Sequence, residues 1–323
     1  MTKLRIGYLG DGPWASLALD QIRRAPSKFE VAFIVPRFES KDPDLEKMAV
    51  EIGCPFLVIQ NINTQESIAT IEAMNIDLLV SMSFNQIMKS GLIRAARLGA
   101  INCHAGDLPR YRGRNVINWA IINGEEELGI TVHRIDEGID SGAILAQSFV
   151  DIRPEDSYAE VLQKAIQACP ALLLRVLNEF SEGEVSERCQ SEETGFYCGR
   201  RGIGDEWIDW RWPAHRIHNF IRGISNPGPG AYFAIDGSIF AAHKSSLIDQ
   251  APEYIGTPGE VVGRNQDGVI VKVEDTLIHI SLCADPKGLG QPFHPKWPIG
   301  TRLVGRTEHR ISQLERLADF SLE

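Results

Sequence analysis

Two polar side chains lie two residues apart at the end of an apolar run near the middle of the chain. Asn102 and His104 belong to the segment AINCHAGDLP, residues 100–109. Successive side chains of a strand point to opposite faces, so these two share a face and Cys103 points to the other. This spacing predicts an amide and an imidazole in one site and a thiol in the core.

A carboxylate follows in a second loop further along the chain. The segment DEGIDSG, residues 136–142, comes directly after the apolar run ITVHRI and contains Asp140. Its glycines allow a sharp loop and a close approach of backbone to a ligand. If this loop reaches His104, the site combines an amide, an imidazole and a carboxylate.

These three groups are suited to acyl transfer onto an amine. An imidazole titrates near neutral pH and can take the proton that an attacking amine loses. A neighbouring carboxylate orients the ring and favours its protonated form, and an amide donor stabilises a developing oxyanion by about 3 kcal/mol. The amine is its own nucleophile, so no activated Ser or Cys is needed. From the residues alone, structural roles for the histidine and the turn stay open.

The elements that must position these groups alternate between strand and helix. Apolar runs predict strands at Leu4–Leu9, Glu30–Val35, Phe56–Val58, Asp77–Met82, Gly99–Cys103, Ile130–Ile135 and Ile144–Val150. Helices are predicted between them at Trp14–Arg23, Pro43–Ile52, Ser67–Met74 and Gly91–Arg97, with Asp42 as the N-cap of the second. This order predicts an α/β fold with a mostly parallel sheet and ligands beyond the carboxyl ends of its strands.

A smaller β-rich domain is predicted after residue 200. A long amphipathic helix at Ser157–Glu179, with Pro170 inside it, is followed by a polar, glycine-bearing stretch that favours a connection between domains. Beyond it, a helix at Pro213–Gly223 precedes short apolar runs separated by Gly, Pro and Asp, which predict a small barrel. The predicted domains are residues 1–200 and 201–323.

Composition narrows the partners. The net charge is −10, which disfavours a nucleic-acid partner unless a basic patch compensates. The six cysteines form no C-x-x-C pair and no common zinc spacing, and no apolar stretch is long enough to span a membrane. We therefore expect a cytoplasmic protein with reduced thiols and no metal. A homodimer is the default expectation, because two-fold dimers are the commonest oligomers.

The first loop contains a glycine cluster that permits another interpretation. The segment GDGPWA, residues 10–15, matches G-x-G-x-x-A after a strand, as a dinucleotide site requires. The second strand ends at Pro36-Arg37 without an acidic residue to bind a ribose, although Arg37 suits a 2′-phosphate. A tight turn after the first strand explains the glycines equally simply.

The two central segments together resemble the signature of the 10-formyltetrahydrofolate-dependent formyltransferases. The pattern N-x-H-x-x-x-L-P-R-Y-R-G followed by D-E-G-x-D-S-G agrees in residue type, order and separation over most of Gly99–Gln147. The resemblance implies a Rossmann-like catalytic domain and 10-formyltetrahydrofolate as formyl donor. It also implies that His104 deprotonates the amine, that Asn102 and His104 stabilise the tetrahedral intermediate, and that Asp140 tunes His104.

The resemblance further implies where the two substrates bind. The folate contacts are expected from a loop after the third long strand and from the D-E-G loop: Met82, Ser83, Phe84, Asn85, Gln86, Ile87, Asp136 and Gly138. The acceptor contacts are expected from the arginine-rich segment and from the region after the long helix: Arg110, Tyr111, Arg112, Arg114, Asn118, Trp210, Asn219 and Arg222. For Trp207, Trp210 and Trp212, hydrophobic anchoring of the domain connection stays an equal alternative.

The branches of this family differ in their acceptor. Glycinamide ribonucleotide transformylases usually end near the first domain, and methionyl-tRNA formyltransferases typically carry a basic insertion after the second strand. Here that region reads PRFESKDPDLEK, which is mixed in charge. We therefore predict formyl transfer to a UDP- or dTDP-linked deoxyamino sugar for bacterial surface glycan or glycoprotein synthesis. The alternatives are methionyl-tRNA formylation, a non-catalytic folate- or nucleotide-binding module, and an NADP-dependent enzyme.

Overall fold

The chain folds into two compact units. The computed structural model describes residues 3–37, 42–191, 194–287 and 291–320. The first unit comprises residues 1–116, 127–151 and 162–199, and the second comprises residues 117–126, 152–161 and 200–323. Two short segments thus leave the first unit and belong to the second before the chain finally passes into it.

The first unit alternates strands and helices up to residue 182. Its elements in chain order are β1 Leu4–Gly10, α1 Gly12–Arg23, β2 Phe29–Pro36, α2 Pro43–Ile52, α3 Gln65–Glu72, β3 Leu78–Met82, α4 Ser90–Arg94, β4 Ala100–His104, β5 Arg112–Gly113, α5 Val116–Ile122, β6 Glu127–Arg134, β7 Ile144–Asp151, α6 Tyr158–Glu182 and β8 Tyr197–Cys198. Helix α5 lies mostly in the second unit, as does the first turn of α6.

Six of these strands form one mixed sheet in the order β2-β1-β3-β4-β6-β7. The pairs β1/β2, β1/β3 and β3/β4 are parallel, whereas β4/β6 and β6/β7 are antiparallel. The prediction of an α/β fold is confirmed, with β6 and β7 added at one side through antiparallel pairings. The reversal places the end of β4 level with the middle of β6, since Thr131 pairs with His104.

Alternating side chains of the strands supply two separate apolar cores. Ile6, Tyr8 and Val80 belong to one buried cluster with residues of α1, α2 and α6, whereas Leu9 and Leu79 belong to another cluster with residues of α3 and α4. A strand with both faces covered reads as a continuous apolar run, which is why LRIGYL and LLV carry no polar alternation. The catalytic candidates lie where such runs end.

Helix α2 shows how local sequence sets an element boundary. Asp42 adopts an extended backbone and its carboxylate accepts hydrogen bonds from the N–H groups of Asp44 and Leu45. Pro43 occupies the first helical position and Gly53 ends the helix in the left-handed conformation (φ 78°). The predicted N-cap and both helix bounds are confirmed.

The second unit is built around an antiparallel sheet. Its elements are α7 Ala214–Ile224, β9 Ala231–Ile235, β10 Ser238–Leu247, β11 Val261–Asn265, β12 Gly268–Lys272, β13 Leu277–Ala284 and α8 Arg306–Phe320. The five strands pair in the order β11-β12-β13-β10-β9. Their inward residues form a third core with α7 that includes Trp210, Phe220 and Phe233. The predicted β-rich C-terminal region is confirmed.

One predicted strand is wrong. The segment Phe56–Val58 forms a single parallel bridge between Phe56 and Ile34 and no strand. Pro55 precedes it, and the carbonyl of Pro55 and the N–H of Leu57 both bond to Ile34 at the edge strand β2. Because the first helix after this bridge begins only at residue 65, the segment is a connection pinned at one point.

The described residues include neither a membrane-spanning helix nor a cluster of metal ligands. None of the helices in the described ranges combines the length and the apolar character needed to cross a membrane. Over the same residues, no group of three or more His, Cys, Asp and Glu side chains has the arrangement of a metal site.

Candidate functional site

The three residues singled out in the sequence converge at the end of β4. His104, the last residue of the strand, is buried with 8% of its surface exposed, and Asn102 is half-buried. The loop after β6 brings Asp140 to them, with its Oδ2 atom 3.8 Å from Nδ1 of His104. The predicted meeting of an amide, an imidazole and a carboxylate is therefore present in the first unit.

The hydrogen bonds of His104 define which ring nitrogen can exchange a proton. Its Nε2 atom lies 2.8 Å from the carbonyl oxygen of Tyr111. A carbonyl only accepts, so Nε2 carries a hydrogen and Nδ1 is the atom that gains or loses the proton. Because Nδ1 faces Asp140 at 3.8 Å, beyond hydrogen-bond length, a proton arriving there gains the attraction of a nearby carboxylate.

Asp140 is held in a backbone conformation that few residues adopt. Its φ angle is 51°, in the left-handed region, where Asp and Asn occur more often than other residues with a Cβ. Its Oδ2 atom accepts a hydrogen bond of 2.8 Å from the backbone N–H of Gly113. This bond fixes the carboxylate beside the ring without using a side chain that could itself titrate.

Burial and charge divide the two groups into a base and a permanent anion. Burial lowers the pKa of His104, and the Asp140 carboxylate and the Tyr111 carbonyl oppose that change only in part. Burial alone would raise the pKa of Asp140, but His104, His133 and the Gly113 N–H together hold it below its usual range. At neutral pH, His104 is therefore available as a neutral base facing an ionised carboxylate.

A second histidine, not singled out in the sequence, completes the group. His133 on β6 is the register partner of Asn102, and its Nε2 atom lies 3.3 Å from Nδ2 of Asn102 and 3.5 Å from Oδ1 of Asp140. Its Nδ1 donates to the carbonyl of Arg134 at 2.7 Å, so Nε2 faces Asp140 as a donor in the protonated ring and accepts from the Asn102 amide in the neutral ring. This orients Asn102 with one amide hydrogen on His133 and the other directed elsewhere.

The turn that follows His104 is held by two side chains from neighbouring strands. Thr131 Oγ1 donates to the carbonyl of Gly106 at 2.8 Å, and Gln147 Nε2 donates to the carbonyl of Leu108 at 2.8 Å. A Cβ atom at Gly106 would lie 2.4 Å from Nε2 of His104 and 2.6 Å from the Tyr111 oxygen. While the imidazole occupies this place, only glycine fits at position 106.

The predicted folate loop begins beside the site, because β3 and β4 are parallel neighbours and Met82 pairs with Cys103. Ser83 takes a left-handed conformation with φ 63°. The side chain of Gln86 is committed to the backbone of residues 59 and 62, accepting from Ile62 N–H at 2.9 Å and donating to Ile59 O at 3.3 Å. The side chain of Gln86 thus fixes this loop to a neighbouring segment. The Oδ1 atom of Asn85 is buried without a partner among the described residues.

The other predicted folate residues differ in what they offer. Met82 is buried in the core and Ile87 is exposed. Asp136 Oδ1 accepts from the Gly138 N–H at 3.0 Å and from Ser141 Oγ at 2.8 Å, which closes the D-E-G turn. A Cβ atom at Gly138 would lie 2.0 Å from Ser141 Oγ, so this turn requires glycine there.

The arginine-rich segment splits into two kinds of residue. Arg112 is buried and donates from Nε and Nη2 to Oε1 of Gln190 at 3.0 and 2.7 Å, and Tyr111 is buried against Phe196. Arg114 is exposed, and Arg110 is half-buried with Asp107 3.8 Å away. Of these four predicted acceptor contacts, Arg114 is the most accessible to a ligand.

The other four predicted acceptor contacts lie in the second unit. Asn118 is buried and donates to the Gly223 carbonyl at 2.8 Å; Arg222 Nε donates to Asn219 Oδ1 at 2.9 Å and its Nη1 to the Asp156 carbonyl at 2.9 Å. Trp210 is buried in the apolar core of that unit. These contacts give all four residues a structural role, and their part in acceptor binding stays a prediction.

The glycine cluster after β1 has a steric explanation. A Cβ atom at Gly10 would lie 2.8 Å from both the Met82 oxygen and the Ala15 side chain. The N–H of Gly12 at the start of α1 already donates to Asp42 at 2.9 Å, and Pro13 has no N–H to offer a phosphate. These observations favour the tight turn over a dinucleotide site.

The fold and the site together are those of an α/β transferase with two domains. The profile of the family described as Formyl transferase matches residues 4–177, and that of the Formyl transferase C-terminal domain matches residues 204–288. The chain belongs to this family, whose members are enzymes that transfer formyl groups, and the resemblance seen in the sequence is confirmed.

Individual relatives extend the comparison. A methionyl-tRNA formyltransferase of Geobacter metallireducens is 33% identical over 229 residues, which cover 71% of this chain and 72% of that protein. WlaRD, a sugar 3N-formyl transferase solved with dTDP and 5-N-formyl-THF, has a TM-score of 0.66 at 23% identity over 87% of this chain and 98% of its own. An N-formyltransferase of Helicobacter canadensis, solved with folinic acid and dTDP-3-aminofucose, gives 0.65 at 19% identity, covering 87% of this chain and 99% of that chain. Both structures share the fold.

Proposed function

We propose that the protein transfers the formyl group of 10-formyltetrahydrofolate to the amine of a nucleotide-linked deoxyamino sugar. Its proposed acceptors are the UDP- or dTDP-linked sugars that are used to make bacterial surface glycans and glycoproteins. We further propose that it acts in the cytoplasm, which suits its six free cysteines. A homodimer remains our expectation for its assembly.

The observation that carries the acceptor proposal is the short connection between β2 and α2. The strand ends at Pro36 and the helix begins at Pro43, which leaves six residues and no room for an inserted basic loop. The residues matched by the C-terminal family profile contain seven Lys and Arg against eleven Asp and Glu. A tRNA acceptor is held largely through its phosphates, so an acidic chain without a basic loop favours a small anionic acceptor.

We propose that the loop after β3 binds the formyl donor. A pterin ring presents alternating N–H donors and acceptors, which are read by fixed backbone groups and buried polar atoms. The loop after Met82 is pinned by Gln86, and Asn85 contributes a buried acceptor without a partner among the described residues. Residues 82–87, Asp136 and Gly138 would therefore hold the folate, which supplies the formyl carbon that the amine attacks.

The residues of the site would then divide the work of amine attack. Nδ1 of His104 takes the proton that the amine loses, and the ionised Asp140 at 3.8 Å stabilises the resulting imidazolium. The amide hydrogen of Asn102 that is not bonded to His133 donates to the oxygen on which negative charge develops. Burial of His104, with 8% of its surface exposed, limits the access of bulk water to the base.

The test is a direct assay of the whole protein. It is incubated with the formyl donor and a panel of UDP- and dTDP-linked amino sugars, and products are followed by mass spectrometry for a gain of one carbonyl group. His104→Asn serves as the matched control, because it keeps an amide in place of the ring and should bind both substrates without turnover. Formylation of no sugar in the panel, with formylation of methionyl-tRNA instead, would overturn the acceptor.

A second candidate acceptor is methionyl-tRNA, favoured by the relative that is 33% identical over 71% of this chain. The two candidates differ in their response to salt. Binding that depends on many phosphates weakens steeply between low and physiological salt, whereas binding of one nucleotide sugar changes little. A non-catalytic folate-binding role would leave the His104→Asn variant fully functional in cells.

A further inference from the structure

Gln190 connects the loop that contains Asp140 to a buried arginine. Its Nε2 atom donates to the carbonyl oxygens of Asp140 at 2.9 Å and of Gly142 at 2.7 Å. Its Oε1 atom accepts from Nε and Nη2 of Arg112 at 3.0 and 2.7 Å. An amide has two N–H donors and two lone pairs, so every hydrogen-bonding position of Gln190 is used.

The loop that Gln190 holds combines an uncommon backbone conformation with a close approach to β6. Asp140 lies in the left-handed region at φ 51°. At Gly142 a Cβ atom would lie 2.0 Å from the carbonyl oxygen of Arg134, so the chain passes directly against β6 there. The loop is therefore confined on one side by β6 and on the other by the Gln190 amide.

Arg112 links the same amide to the other contact of Asp140. The strand pair β5/β8 places Arg112 opposite Tyr197, with the guanidinium over the Tyr197 ring at 5.5 Å, and Gly113 opposite Cys198. Gly113 is the residue whose N–H donates to Oδ2 of Asp140 at 2.8 Å. Arg112 and Gln190 thus lie between the two bonds that fix Asp140, one to its carboxylate and one to its carbonyl.

We propose that Gln190, bound to Arg112, is a positioning residue for formyl transfer that sets the separation between the Asp140 carboxylate and His104. It acts through the backbone of Asp140 and does not touch the substrates. This assigns Arg112, which the sequence suggested as an acceptor contact, to the same support. The proposal rests on the proposed roles of His104 and Asp140.

Replacement of Gln190 by Met tests it, because Met keeps the length of the side chain and removes all four hydrogen bonds. We expect kcat to fall about tenfold with KM for both substrates nearly unchanged, since the lost interaction concerns the reacting groups. The acid limb of the rate profile should move about half a pH unit lower, because a displaced Asp140 no longer favours protonated His104. Asn178→Leu is the matched control: this half-buried amide bonds to Lys28 and Leu174 in the same unit.

Two further measurements separate positioning from folding and from the choice of acceptor. The double variant Arg112→Met/Gln190→Met should lose no more activity than either single variant, because the two residues act as one support. The titration of His104 followed by NMR in labelled protein should show the same downward shift in Gln190→Met and none in Asn178→Leu. This readout needs no acceptor, so it stands even if no sugar is formylated.

Three results would overturn the proposal. The first is a Gln190→Met enzyme whose activity falls only with its folded fraction and whose His104 titrates as in the wild type. The second is a rise in acceptor KM at constant kcat, which would return Arg112 to the substrate site. The third is full additivity of the two substitutions.

Discussion

The two units treat buried charge in opposite ways. In the first, the atoms of His104, His133 and Asp140 that face one another are 3.5 and 3.8 Å apart, so they interact through space without saturating their hydrogen bonds. In the second, Lys272 is 1% exposed, and its ammonium donates to the Val273 carbonyl at 2.7 Å and lies 4.8 Å from the Tyr254 ring. Among the described residues, Nδ1 of His104 is free of a hydrogen bond and can exchange a proton, whereas the N–H groups of Lys272 are held by backbone carbonyls.

A buried chemical site and a buried structural site differ in which groups supply their contacts. The ammonium of Lys272 donates to the carbonyls of Val273, Glu274 and Thr276, which occupies its three N–H groups. Around Asp140, the contacts that hold position come from neutral backbone and amide groups, and the titratable groups are kept apart. Hydrogen bonds between catalytic groups are often this long before the substrate binds.

The largest effect that would sharpen the contrast is the loss of the base. His104→Ala should lower kcat by about 10² to 10⁴, the usual contribution of a general base. In the wild-type enzyme, the rate should rise with pH and level off before the pH reaches the ordinary pKa of an imidazole, because burial lowers the pKa of His104 and only the neutral ring accepts a proton. Steady-state rates between pH 5 and 8 test both statements, and an acid limb above pH 7 would contradict them.

The second effect concerns the fixed cation. Lys272→Met should lower the free energy of unfolding of the second unit by about 2 kcal/mol, because three carbonyls lose a charged donor. Denaturant titration followed by tryptophan fluorescence suits this test, since five of the six tryptophans lie in the second unit.

Lys244→Met on β10 is the control, as this lysine is exposed on the same sheet. The kcat of Lys272→Met below its transition should equal that of the wild type. A marked loss of kcat in folded protein would break the distinction between a structural and a chemical cation.

The smallest effect concerns His133. His133→Phe removes the acceptor that orients Asn102 and should lower kcat about tenfold, a part of the contribution of an oxyanion donor. His133→Gln retains an acceptor near the same place and should recover most of that loss. Equal kcat values for the two variants would show that Asn102 keeps its orientation without this bond.

The fold was predictable where local chemistry decides it. Asp42 and Pro43 mark the start of α2, and continuous apolar runs mark the buried strands. The segment Phe56–Val58 has the same composition, but it lies at an edge where only one residue pairs. Strands as short as β5 and β8 exist only because two distant segments meet, and no local pattern announces them.

The candidate site, too, was predictable only where the local sequence determines it. Asn102, His104 and Asp140 were predictable because spacing and segment order place them at strand ends. His133 could have been found from a polar residue within ITVHRI, but its role depends on the antiparallel register that pairs it with Asn102. Gln190 is 50 residues from Asp140 in sequence, and the polar stretch around it resembles an ordinary connection.

A substitution at Gly106 offers a way to obtain the enzyme with both substrates bound and unreacted. A single methyl group there would lie 2.4 Å from Nε2 of His104 and 2.6 Å from the Tyr111 oxygen, and would therefore break the hydrogen bond between them, while the residues of the loop after β3 and Arg114 stay unchanged. We expect a Gly106→Ala protein to bind both substrates without transferring the formyl group. Crystals grown from it could hold the unreacted pair together long enough to be seen.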